Sequence, residues 1–99
     1  MANPELDAER VPGGPKTLAA TAAALDADDH RGLQFVFIQN FTGNDTMYWG
    51  YIKVDGTFVP HGFIKADASV SIKMSPLTPA TIYVRGTAGQ TCYWSSALA

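Results

Sequence analysis

The sequence predicts an all-β domain, a small antiparallel β-sandwich or barrel of about six to eight strands, preceded by an extended N-terminal arm. Short runs of β-branched and aromatic residues alternate with polar ones, as a pleated surface requires. Gly, Asp, Asn and Pro interrupt these runs about every ~10 residues. The one helix-prone stretch, 17–27, is rich in Ala but short and broken by Thr. At 99 residues and 46% hydrophobic content the chain has material for one core and not two.

Residues 1–16 carry Pro4, Pro12 and Pro15 with Gly13 and Gly14, and only Leu6 and Val11 as large apolar side chains. Proline removes backbone donors and favours extended chain, so this segment reads as an arm and 17–99 as the folded domain. Thr17–Ala27 reads as a strand. Gln34–Asn40 is the clearest strand, with Val36 and Ile38 on one face and Phe35 and Phe37 on the other. Both faces are apolar, so a second layer or another molecule must cover the Phe pair. Phe41–Asp45 supplies a turn. Thr46–Val54 alternates again, placing Met47, Trp49 and Tyr51 opposite Tyr48, Gly50 and Ile52, and Asp55-Gly56 marks a type I′ hairpin turn. Pro60 limits the returning strand. After Phe63, Ile64 and a turn at Ala66-Asp67, the apolar residues Val70, Ile72 and Met74 alternate with polar ones in a half-buried strand that Pro76 and Pro79 close. Thr81–Trp94 reads as the last hairpin, turning at Gly86–Gly89.

The charges exclude several functions. Seven basic and nine acidic residues give a net charge of −2 without a block of either sign, which argues against a nucleic-acid partner. No apolar run approaches the ~20 residues of a membrane helix, and Met1–Glu5 lacks the basic-then-apolar order of a secretory signal, so the chain is expected to begin near Met1 without translocation. His30 and His61 lie in separate turns and do not make a metal site. Cys92 is the only cysteine, so there is no internal disulfide or CxxC motif, and its apolar strand suits an inert thiol. Asn40-Phe41-Thr42 and Asn44-Asp45-Thr46 fit the glycosylation sequon but read as turn residues. No carboxylate pair, nucleophile with base, or phosphate-cradling loop stands out, so neither an enzyme nor a cofactor is expected. Trp49, Tyr51, Tyr93 and Trp94 are the binding candidates, as core, as protein-interface anchors or as sugar-stacking platforms.

The runs TAAAL (Thr21–Leu25), FVFIQN (Phe35–Asn40), MYWG (Met47–Gly50), ASVSI (Ala68–Ile72) and IYVRGTAG (Ile82–Gly89) resemble, in that order, the small β-sandwich virion proteins of tailed bacteriophages. The likeness covers about Thr17 to Trp94. It implies a non-enzymatic head decoration or cement subunit. Such a subunit binds the major capsid protein or other virion proteins and copies of itself, and resides in the virion after synthesis in the host cytoplasm. Trp49 stands where that group usually has a small aliphatic residue, and Ala68 lacks the acidic character common in the preceding turn. The expected interface is therefore Phe35, Phe37, Trp49 and Tyr51 with Leu6 and Val11 of the arm. The alternative is a carbohydrate-binding or adhesin module on the head surface or tail, with a surface glycan on the aromatics.

Overall fold

In a computed structural model, described over residues 13–27, 33–73 and 81–98, the expected alternation produces eight strands. They are β1 (Gly14–Thr17), β2 (Ala23–Ala24), β3 (Leu33–Asn40), β4 (Met47–Ile52), β5 (Phe58–Ile64), β6 (Ser69–Lys73), β7 (Tyr83–Arg85) and β8 (Thr91–Leu98). Two four-stranded antiparallel sheets form, ordered β1-β8-β3-β6 and β2-β7-β4-β5. Every connection except β4–β5 crosses from one sheet to the other, which is the strand order of a jelly roll. The all-β sandwich is therefore as the sequence predicts, and no α-helix interrupts it among the described residues.

Period-two alternation fixes the core. Val36, Ile38 and Asn40 of β3 point inward beside Ser96, Trp94 and Cys92 of β8, their register partners. Ile72 of β6 continues that layer opposite Val36. Met47, Ile64 and Val84 face them from the second sheet, with Leu18, Leu25 and Ile82 filling the space between. Aliphatic side chains dominate this core, and burying each contributes about 1.5–3 kcal/mol.

Local readings differ from the fold in three places. Thr81–Trp94 is not a hairpin, because β7 and β8 lie in different sheets. Gly86–Gly89 does reverse the chain, but its amides are claimed by the segment before β2. Gly86 donates to the Ala19 carbonyl at 3.0 Å and Gly89 to that of Leu18 at 3.1 Å. A Cβ at Gly86 would come within 2.8 Å of Leu18 Cδ1, so a larger residue there would have to push that methyl aside. Secondly, Thr17–Ala27 is not one strand: Thr17 ends β1, and only Ala23–Ala24 pair with Val84 and Tyr83. From Gly14 the chain already pairs with β8, and Pro15 is tolerated there because β1 is an edge strand. Thirdly, the β4–β5 turn is not type I′. Gly56 donates to the Lys53 carbonyl at 2.9 Å and has φ 90°, while Asp55 is not left-handed. That is a type I turn closed by a glycine bulge, the three-residue hairpin loop. Asp55 accepts from the Thr57 amide at 2.9 Å, and this bond, with the Thr57 hydroxyl, holds its carboxyl below the usual range.

Candidate functional site

Covering the core with the inward residues leaves the alternate residues on two outer faces, and both are aromatic. On the first sheet Phe35 and Phe37 stack with ring centroids 6.2 Å apart, and Tyr93 of β8 stacks on Phe41 at 6.4 Å. Phe37, Phe41 and Tyr93 are exposed at 39%, 39% and 47%. The second layer that might have covered the Phe pair packs on the other side, against Val36 and Ile38.

On the second sheet Tyr48 is paired with Phe63 of β5 on one side and Arg85 of β7 on the other. The Arg85 guanidinium lies 5.3 Å from the Tyr48 ring centre and 5.2 Å from that of Phe58. This cation–π geometry keeps the charge on the face while shielding part of its surface. Phe63 is 61% exposed, the most exposed aromatic among the described residues.

A third feature opens between the sheets. The β4–β5 ladder bulges on β5, where Gly50 pairs with Pro60 while Trp49 pairs with Gly62, so His61 is the extra residue without a partner in the register. A Cβ on Gly50 would sit 2.0 Å from the Val59 carbonyl oxygen, which makes glycine obligatory there. The bulge turns His61 toward the rings of Trp49 and Tyr51, at centroid distances of 5.2 and 6.5 Å. With Ile72 of β6 and Ile82 they line a cleft of about 300 Å³ whose walls are almost entirely carbon.

The expected interface residues therefore separate. Phe35 and Phe37 lie on one outer face, while Trp49 and Tyr51 lie at the cleft; Leu6 and Val11 fall outside the described residues. Trp49 is half-buried against the core, its indole over Gly62, where a Cβ would meet Nε1 at 2.7 Å. Trp94 is core, 4% exposed, whereas its neighbour Tyr93 points outward. Sequence reasoning did not single out Tyr48, Phe63, Phe41 or the His61 contact. Alternation across β4 and β5 held a signal for Tyr48 and Phe63, but nothing local announced the bulge that re-aims His61.

Two further groups are taken up by structure. Asn40 is fully buried, its amide donating to the carbonyls of Asp45 and Ile64 at 2.9 Å each and its Oδ1 accepting from Asn44 at 2.9 Å. Asn44 also donates to the Thr91 carbonyl at 2.8 Å. Both sequon asparagines thus brace the β3–β4 loop against β5 and β8; Asn44 does so from the turn, as expected, whereas Asn40 is not a turn residue but the buried end of β3. Cys92 is fully buried, and burial pushes its thiol up to about 11.

No family model matches the chain, and no curated protein is significantly similar to it. Among solved structures, a protein described in the words "Bacillus endospore appendages form a novel family of disulfide-linked pili" is similar, with a TM-score of 0.53 and 19% identity. The superposition covers 90% of this chain and 86% of that one. At that identity the likeness is one of fold: both are small all-β chains.

Proposed function

We propose that this protein is a non-enzymatic structural subunit that assembles with copies of itself through its outer sheet faces. The observation that carries the reading is the exposure of large aromatics on both sides of one thin sandwich, Phe37, Phe41 and Tyr93 on one face and Tyr48 and Phe63 on the other. Aromatic side chains on a flat, solvent-facing sheet are the anchors expected of a protein interface. A fold shared with a pilus protein supports the reading by analogy. The link differs from the one that pilus is described by, because Cys92 is the only cysteine and is buried, so contacts between copies are non-covalent.

The finer reading is a virion accessory subunit that binds a capsid lattice. It rests on the run Ile82–Gly89 and the other motifs it accompanies, and jelly rolls occur in viral capsid proteins. Sugar binding by Trp49 draws no support from an indole laid over Gly62 and against the core.

Sedimentation velocity of the purified chain tests the general reading. Concentration-dependent association is expected, weakened about tenfold or more by Phe63→Ser or Phe37→Ser without loss of β-sheet circular dichroism. A strict monomer at high micromolar concentration defeats the proposal. Rebinding to capsids stripped of accessory proteins tests the finer reading, and no affinity for them rejects it.

A further inference from the structure

We infer that the cleft between Trp49, Tyr51, His61 and Ile72 receives Val11-Pro12 of a second copy, so that the N-terminal segment of each subunit plugs the next. This deepens the self-assembly reading and rests on it.

The cleft offers an aromatic wall, two isoleucines and few polar atoms. Aromatic-lined grooves take apolar-proline dipeptides, whose extended geometry is already set and costs little entropy to fix. Twelve residues precede Gly13, and Val11-Pro12 is the one place in them where a branched apolar residue adjoins proline. Charge agrees. Residues 1–12 hold Glu5, Asp7 and Glu9 against Arg10, whereas β4, β5 and β6 hold Lys73 and no carboxylate. Asp55, in the β4–β5 turn, is occupied by the Thr57 amide.

Reach decides between the chain's own cleft and a neighbour's. The N-terminal segment leaves from β1, at one edge of its sheet, and the cleft opens beside β6, at the opposite edge. Three strand spacings separate them, about 14 Å. Val11 is two residues before Gly13, which allows about 7 Å of extended chain. Val11-Pro12 therefore falls short of its own cleft. Gly13 still lies against the β8 backbone, where a Cβ would meet the Trp94 carbonyl oxygen at 2.8 Å, so the free reach is counted from there. Donor and acceptor surfaces lie on opposite edges, so the contact is head-to-tail and propagates.

Full-length Val11→Asp and Tyr51→Ala variants test this by sedimentation velocity or mass photometry. Tyr51 is 47% exposed, so its truncation spares the core. Each variant alone is expected to associate at least about tenfold more weakly than the parent. Mixed together they should form one-to-one heterodimers and nothing longer, since the first keeps an intact cleft and the second an intact plug. If the parent associates and both variants match it, the cleft contact is refuted while assembly through the faces stands. If both variants lose association but the mixture does not pair, Val11 and Tyr51 do not meet across one contact and the inference is overturned. A parent that never associates overturns both.

Discussion

Replacing Asn40 with Ala removes the one side chain that ties the β3–β4 loop to β5 from inside the sandwich. The substitution strands the carbonyls of Asp45 and Ile64 and one amide hydrogen of Asn44. The Ile64 bond is fully buried, so nothing replaces it; the other two are partly buried, and water recovers some of their energy. A buried polar group left without a partner costs about 1–3 kcal/mol, which puts the total near 2–4 kcal/mol. A domain of this size has only about 5–15 kcal/mol to lose. In urea, with a slope of about 1–3 kcal/mol per molar, the midpoint should fall by about 1–2 M. Unfolding followed by Trp fluorescence, dominated by the buried Trp94, and by far-ultraviolet circular dichroism reads it directly. Asn40→Asp should be worse than Ala at pH 7, because a carboxylate would face two carbonyl oxygens. Burial raises that carboxyl's folded pKa, so stability is present below the unfolded value, is lost as pH rises, and should return in part as pH falls toward 4. A loss below about 0.5 kcal/mol for Asn40→Ala would refute the reasoning, since that is the scale of an ordinary surface change.

Cys92 should resist thiol reagents in the native state and react only on unfolding; rapid labelling of folded protein at pH 8 would contradict its burial. Its thiol is raised from 9.0 to about 11, so the folded state keeps a proton that the unfolded chain releases. Stability is then full below about pH 9 and declines between 9 and 11, by about 2–3 kcal/mol. Cys92→Ser should flatten that slope while Cys92→Ala lowers stability at every pH, and an unchanged slope in either variant counts against this assignment. Gly50→Ala drives a Cβ into the Val59 carbonyl oxygen, so a severe loss of about 3 kcal/mol or more is expected in thermal melts; a melting temperature within a degree of the parent would show that the bulge relaxes freely.

The sequence announced β3 fully, because Val36 and Ile38 against Phe35 and Phe37 leave one solution to a two-residue period. It announced β4 and β6 in the same way, but of β5 only the start, because Pro60 pointed to a limit that the strand, lying at a sheet edge, runs through to Ile64. It misread the connection from β7 to β8, and the physical reason is specific. Glycines at 86 and 89 report that the chain reverses, but whether the next strand rejoins the same sheet depends on Leu18 and Ala19, about seventy residues away in sequence. The Ala-rich stretch before β3 misled for the opposite reason: its residues are compatible with any conformation, and after Thr17 only Ala23 and Ala24 enter a strand ladder. Tyr93 and Trp94 are adjacent, so alternation separates them, yet only the register with Ile38 decides which one enters the core. Alternation put Phe35 and Phe37 on one face of β3, and the structure leaves Phe37 exposed and Phe35 half-buried beside it. The His61 contact waited on a bulge that no dipeptide signals.

The jelly-roll order has a consequence for how the protein comes into being. Gly14 pairs with Trp94, so the first strand of the chain finds its neighbour in the last. During synthesis β1 and β3 must wait with an open edge until β8 has emerged, and only the β4–β5 hairpin can form from neighbours in sequence. The Phe41–Tyr93 half of the first sheet's aromatic face is therefore completed late, when β8 slots between β1 and β3 and sets Tyr93 beside Phe41. Removing β8 should therefore unseat β1 as well and leave β3 paired with β6 alone, a loss from the middle of the sheet and not from its end.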